Sequence, residues 1–440
     1  MNSSDSYLTT SKTIINDKPT TTKNFHNAIS SSNNLIHYHQ SKLNEQQQTN
    51  NLRNSNIKTL TQQQTDPLIS KIPNELLIEI FKSLPTLDHS LDLLSVSLVC
   101  KKWRGPAQTV LWRYLRFSHV DSVTAFAEAV KIRPDLCCLS KRLNFFTDDS
   151  EYLAYLDADA VFHSMESLTH LERFEVTVPY ASGELYDSLC EELSGSPVKE
   201  ILLSAEEGLG RGHVEASMRF PKLEFLSLNR LGSLGDLNSL AFDWIHPSKL
   251  FELVLVQPDL TGEDLSFLIY HTRKTLKKLT IDLTDITIEE TRLTPEDLTS
   301  SLKFFGNHLT DLEIYWPDIT NRFLNQAIEG LGNLINLKTD LNLFNHQEMF
   351  NQLIFYCPNL IKLEIRINSL KFLPPLKFFE NFFNLKMKKI SLSKFHISFK
   401  PRKEDLDDED LVWNQEILNE WKNCLTKLKS SGIFLTSNFF

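Results

Sequence analysis

The sequence predicts an α/β protein: a curved solenoid with one parallel strand plus one helix per repeat, preceded by a three-helix module and a disordered tail. Three observations predict it. A motif of the form L-x-x-L-x-L recurs at a near-constant interval from Leu171 onward. Residues 66–117 carry large apolar side chains at helical spacing, and residues 1–65 are dominated by small polar ones.

In residues 1–65, 37 positions are Ser, Thr, Asn or Gln, including Gln46–Gln48 and Gln62–Gln64. So few apolar groups cannot offset the entropy of ordering, and a disordered tail follows. The chain carries a net charge of -10, but the tail holds six Lys/Arg against three Asp/Glu, which leaves about -13 on the remainder. An acidic body lacks the basic surface that phosphate contacts need, so no nucleic acid is expected as a partner. No apolar run reaches the roughly 18 residues a membrane span requires, and no apolar leader follows a basic start, so neither membrane nor secretion is expected. The six cysteines (Cys100, Cys137, Cys138, Cys190, Cys357, Cys424) include no CxxC pair. Reduced thiols in an intracellular chain, cytoplasmic, nuclear or both, are the expectation.

Composition changes at Asp66. Pro73 stands near a helix start, where its missing N–H costs least, and Leu76, Leu77, Ile80, Phe81 and Leu84 follow on one helical face. A second apolar segment spans Leu91 to Trp103. A third helix is expected after the Gly105-Pro106 break, with Val110, Leu111, Tyr114 and Leu115. A module this short has difficulty burying so many large apolar groups alone, so a partner is the physical expectation.

At 440 residues the chain exceeds one ordinary core, and the repeats supply the alternative. Copies begin at Leu171, Val198, Leu223, Leu250, Leu276, Leu309, Leu334, Leu360 and Met387, separated by 27, 25, 27, 26, 33, 25, 26 and 27 residues. Leu143-Asn144-Phe145 reads as an incomplete earlier copy, and Thr339 takes an apolar position in the copy at Leu334. Helical stretches lie between, at 262–270, 321–328 and 347–354. Neither a lone strand nor a lone helix buries its apolar face, so neighbours stack. About nine to ten repeats would fill residues 118–400, with an insertion over Asp282 to Thr294. Residues 401–440 begin with six carboxylates between Glu404 and Asp410, read as a solvated loop. A helix through Val412, Ile417, Trp421 and Leu425 would then cap the solenoid, with Trp413 and Trp421 covering its open end.

The run Ile72-Pro73-Asn74-Glu75-Leu76-Leu77-Ile78-Glu79-Ile80-Phe81, followed by Asp92-Leu93-Leu94 and Ser97-Leu98-Val99-Cys100-Lys101-Lys102-Trp103-Arg104, resembles the F-box. It departs from that pattern at Ile72, where leucine is commoner, and in a longer connection over Pro85 to Leu91. The repeat signature resembles leucine-rich repeats. The resemblance implies docking on a Skp-type adaptor, and through it a cullin. The adaptor-facing positions would be Leu68, Ile72, Pro73, Leu76, Leu77, Ile80, Phe81, Leu94, Leu98, Val99, Cys100 and Trp103, with Pro73 and Leu77 the strongest candidates. For Leu76, Ile80 and Trp103, packing within the module and contact with the adaptor both remain open.

F-box followed by leucine-rich repeats is a known arrangement. It implies a non-catalytic substrate-recognition subunit of a ubiquitin ligase whose repeat arc binds an unknown protein substrate. The motif leucines point inward, so the intervening positions line the concave sheet. The candidate substrate contacts are Arg173, Glu175, Ser227, Asn229, Lys278, Thr280, Asp282, Glu313, Tyr315, Lys362, Glu364 and Arg366. Tyr315, with Trp316 beside it, is the favoured anchor, because aromatic and arginine side chains dominate binding energy. Two other readings stay open: an adaptor-bound scaffold acting outside a cullin ligase, and a leucine-rich-repeat regulator of another enzyme.

No chemistry competes with these. Gly208-Leu209-Gly210-Arg211-Gly212 lacks GxGxxG spacing, and the sequence contains no GK[ST], HExxH or GxSxG. No catalytic residue, metal or cofactor is expected.

Overall fold

The computed structural model describes residues 71–84, 89–118, 120–146, 164–178, 183–235, 249–284, 291–305, 308–316, 328–340, 355–367, 394–399 and 434–437, with the single residues 326, 353, 423 and 426. The expected tail, Leu68, the acidic run and most of the expected capping helix lie outside them. The chain divides into Met1–Ile72 and Pro73–Phe440, so the helical module from Pro73 and the repeats belong to one unit.

Three helices open that unit: α1 Asn74–Lys82, α2 His89–Val99 and α3 Lys101–Arg113. Pro73 caps α1 (φ -58, ψ 148), and its carbonyl accepts the Leu77 N–H at 3.1 Å. The expected break at Gly105-Pro106 does not occur. The chain breaks at Cys100, whose extended backbone (φ -158, ψ 163) starts α3, and the helix runs on through Pro106. Pro106 removes one ladder bond early in the helix, and its ring is buried beside Ala107 and Val110. Leu77, Phe81 and Leu93 complete this core, with Trp103 meeting Phe81 edge-on at 5.7 Å.

With no linker, α3 passes directly into β1 Tyr114–Phe117, the first of twelve parallel strands arranged in chain order. The others are β2 Arg142–Phe146, β3 Arg173–Val178, β4 Glu200–Leu209, β5 Phe225–Leu231, β6 Glu252–Val256, β7 Lys278–Asp282, β8 Asp311–Tyr315, β9 Asn336–Asp340, β10 Lys362–Ile367, β11 Lys394–Phe399 and β12 Phe434–Ser437. Between them lie α4 Val120–Ile132, α5 Gly183–Glu192, α6 Arg211–Ser217, α7 Gly262–Thr272 and α8 Pro295–Leu302. Each strand pairs only with its chain neighbours, which is the order of a solenoid.

The sheet is longer than the motif implied. It starts at Tyr114, inside the segment assigned to the helical module, and β12 extends it beyond residue 400. The copy expected at Met387 lies outside the described residues; the strand that pairs with β10 is β11, with Leu363 opposite Phe395 and Ile365 opposite Ile397.

Leu253, Leu279, Leu312, Leu337 and Leu363 align across successive strands and are buried with Leu265, Leu268 and Ile269 of α7 in one core. The turns before the strands repeat as faithfully. The carbonyls of Lys141, Glu172, Lys199, Glu224, Phe251, Lys277, Thr310 and Ile335 each accept two N–H groups from the next repeat. Two helices carry reciprocal caps: Thr261 with Asp264 on α7, and Thr294 with Asp297 on α8. Gly262 lies so close to Asp297 that a β-carbon there would collide with its carboxyl group.

Candidate functional site

Two surfaces remain once the core is assigned. On the helical module, Leu76 and Ile80 of α1 and Leu94, Leu98 and Val99 of α2 are between 47% and 85% exposed. Pro73 and Cys100 are exposed beside them, and Ile72 and Trp103 are partly exposed. Leu77 and Phe81 do not share this surface: they are buried within the module, which corrects the sequence assignment. The apolar stripe of α1 is wide enough to serve two faces. Leu77 and Phe81, four residues apart, line the inner one; Leu76 and Ile80, one position back, line the outer one.

The second surface is the open face of the sheet, built from residues that alternate with the buried leucines. All twelve sequence-chosen positions stand in its outward columns, on β3, β5, β7, β8 and β10. Most of their charge is already matched. Arg173 bridges Glu200 at 3.1 Å and Glu175 at 3.4 Å. Lys278 reaches Glu252 at 2.6 Å and Glu313 at 3.6 Å, and Glu313 also takes Lys338 at 3.0 Å. Lys362 bridges Glu364 at 3.2 Å, and Thr280 is buried.

Arg366 is the most enclosed of the charged members. It grips the buried Asp340 through two hydrogen bonds of 2.5 and 2.8 Å, donates to Thr284 Oγ1 at 2.8 Å, and lies 4.2 Å from the Tyr315 ring centre. Burial works against its charge, but the hydrogen bonds and charge of Asp340 outweigh that and hold its pKa up. Tyr315 donates to Glu313 at 3.1 Å; burial, then the charge of Glu313, push its pKa above the ordinary tyrosine value. Asp282 accepts from the Thr284 hydroxyl. Trp316, expected beside Tyr315 as part of an anchor, is buried in the repeat core, because it continues the alternation of β8 and falls on the inward side with Leu312 and Ile314.

The sequence reading passed over four outward residues, Leu202, Phe225, Val254 and Val256, all partly exposed. Leu202 and Val254 flank Ser227 across β4, β5 and β6, and Val256 pairs with Asn229. A signal was present: Ile201-Leu202-Leu203 and Leu253-Val254-Leu255-Val256 are continuous apolar runs where a half-open strand should alternate.

Among the described residues no group of three or more His, Cys, Asp or Glu could hold a metal ion, and no helix is long and apolar enough to cross a membrane. What the fold offers is two distinct surfaces on one continuous unit: an exposed apolar face on the helical module and the open face of the sheet. Comparison with known proteins names the first: residues 69–118 match the family model described as F-box-like. The chain thus carries an F-box-like domain followed by a parallel repeat solenoid. A chain in the crystal structure of the Rad7 and Elc1 complex in yeast is similar at 13% identity and a TM-score of 0.38, covering 91% of this chain and 99% of that one. A chain of the TLR13–ssRNA13 complex is similar at 13% identity and a TM-score of 0.35, covering 60% of this chain and 36% of that one. No curated protein matches in sequence.

Proposed function

We propose that this protein is the substrate-recognition subunit of a Skp–cullin–F-box ubiquitin ligase, working inside the cell without catalytic chemistry of its own. The observation that carries the reading is the exposed apolar face of Leu76, Ile80, Leu94, Leu98 and Val99 on a module that matches the F-box-like family. A contiguous exposed apolar face marks an interaction site, and a Skp-type adaptor is the partner this module implies. The direct passage of α3 into β1, and the packing of Trp112 on Phe126 at 6.0 Å, hold docking module and repeats in one body. A substrate on the sheet would then be held at a fixed distance from the conjugating enzyme, and proximity supplies the rate.

The test is co-purification of the full chain with a Skp-type adaptor and cullin, beside the double variant Leu76→Arg/Leu98→Arg. The wild-type chain should retain both partners and the variant neither, with repeat stability unchanged. Failure of the wild-type chain to bind an adaptor that a control F-box retains would sink the reading. Binding of adaptor without cullin would favour a scaffold outside the ligase.

A further inference from the structure

The edge of the solenoid where the strands begin has a charge pattern of its own. The carbonyl ahead of each strand accepts N–H groups from the next repeat, which sets Lys141, Glu172, Lys199, Glu224, Phe251, Lys277 and Thr310 in one row. The first four pair their charges: Lys141 with Glu172 at 2.8 Å, and Lys199 with Glu224 at 4.0 Å. The alternation stops at Phe251, which is 51% exposed. Lys277 follows, between Phe251 and Thr310, neither of which carries a carboxylate.

Just ahead of Lys277, the ends of α7 and α8 add cations and two exposed rings. Tyr270 and Phe304, 51% and 49% exposed, meet edge-on at 6.4 Å, with Phe304 in the 3-10 turn Lys303–Phe305 that continues α8. Arg273 lies 3.5 Å from the Tyr270 ring centre and donates to the Tyr270 carbonyl at 2.8 Å, while Lys274 and Lys303 are exposed. Arg273 foremost, then Lys274, hold the Tyr270 hydroxyl below the ordinary tyrosine value. Residues 265–281 and 298–310 contain no Asp or Glu. Of their five Lys/Arg, only Lys278 forms an ion pair among the described residues. A helix C-terminus favours cations, which accounts for Arg273, Lys274 and Lys303 as parts of the fold. It does not account for the two rings exposed beside them, or for unpaired positive charge gathered at one place in a chain of net charge -10.

We infer that the ends of α7 and α8 form a docking site for a short acidic segment of a partner protein. An apolar side chain of the segment seats against Tyr270 and Phe304, and the Asp or Glu carboxylates beside it meet Arg273, Lys274, Lys277 and Lys303. Two helix ends side by side span about 20 Å, the reach of about six extended residues. A nucleic acid fits less well: Arg273 already occupies a face of the Tyr270 ring, where a base would stack, and the net charge of the chain repels extended polyanions and anionic membranes alike. The site stands apart from the apolar face of the helical module and from the open face of the sheet, and it does not depend on the receptor reading.

The experiment is a selection of displayed random dodecapeptides on the purified full chain, with enriched peptides measured by fluorescence anisotropy. Enriched peptides should carry Asp or Glu beside an apolar residue, and should weaken as salt rises. Lys274→Glu/Lys303→Glu, which changes only exposed side chains, should weaken them by about tenfold or more, and Phe304→Ala by about threefold or more. Lys131→Glu/Lys222→Glu makes the same charge change at exposed positions elsewhere and should leave binding within about twofold. Enrichment of basic or uncharged peptides, no enrichment over a blank surface, unchanged binding to Phe304→Ala, or an equal loss in the control pair overturns the proposal. So does binding of single-stranded RNA or anionic vesicles, or self-association in sedimentation, that Lys274→Glu/Lys303→Glu abolishes: the occupant is then a nucleic acid, a membrane or a second copy.

Discussion

Arg366→Met asks whether the β9–β10 ion pair belongs to the fold or to the binding face. Asp340 is 0% exposed and Arg366 9% exposed. Methionine keeps much of the aliphatic stem but leaves the Asp340 carboxylate buried without its cation, which costs about 3–5 kcal/mol. Losing the Thr284 hydrogen bond and the contact with the Tyr315 ring adds about 1 kcal/mol, so a loss of about 4–6 kcal/mol is expected. Removing both charges in Arg366→Met/Asp340→Leu should bring stability back to within about 1 kcal/mol of the parent, because a buried pair roughly breaks even against an apolar one. Urea denaturation of the full chain, followed by circular dichroism, measures both. Midpoint and slope must be read separately, since a solenoid weakened in one repeat unfolds in parts. A cost below about 1 kcal/mol for Arg366→Met, the value of an exposed pair, would refute the reasoning and return the guanidinium to the surface open to a substrate.

Four further outcomes are expected. Leu77→Ala should cost about 2–5 kcal/mol by opening the module core, while Leu98→Ala stays within about 0.5 kcal/mol of the parent and weakens adaptor binding; thermal melts and pull-downs measured together would expose an inversion. Gly262→Ala should lower stability by about 1–3 kcal/mol through its clash with Asp297, visible as an earlier melt, and an unchanged melt would refute the contact. Site-resolved alkylation near neutral pH should label the exposed Cys100 and Cys138 first, because burial pushes the Cys137 thiol up to about 11 and those of Cys190 and Cys357 up to about 12; rapid labelling of any of these three would contradict the packing. For Glu313, burial opposes ionisation, but Lys338 and Lys278 outweigh it and hold the carboxyl below its ordinary value. The folded state therefore binds fewer protons than the unfolded one, so the stability Glu313 confers is full above the ordinary carboxylate value and is lost as pH falls through its lowered folded value. Glu313→Gln should flatten the decline of the urea midpoint over roughly pH 5 to 3; an identical slope would rule the contribution out.

Much of the fold was legible because the period is set by something physical: each repeat must place its leucines over those of the last. Leu253, Leu279 and Leu312 align in the sheet as the spacing predicts. The elements that escaped are those where the motif underdetermines the chain. Tyr114-Leu115-Arg116-Phe117 is too short to carry the motif, and its place as β1 follows from pairing with Arg142–Phe145, which sequence does not display. In α1, an apolar stripe as wide as Leu76 to Phe81 announces a helix with two apolar faces but not which face is internal; Leu93, Ala107 and Val110, brought by α2 and α3, make that choice.

The open face of the sheet was harder to read, because charge at an outward position was taken as a sign of recognition. On a parallel sheet the strands lie about 4.8 Å apart, so opposite charges at the same position of neighbouring repeats reach one another without any ligand. Lys278 opposite Glu252 is that case, and Arg173 opposite Glu200 is another. A charged outward residue is therefore first a candidate for the lattice that fixes strand register, and becomes a candidate contact only when its lateral neighbours cannot satisfy it. The converse holds for apolar residues. Val254 and Leu202 are partly exposed on the face away from the core, where a polar residue can also stand. What makes such positions informative is that the fold does not require them, and the same comparison of each outward residue with its lateral neighbours can be made on any parallel solenoid once its register is known.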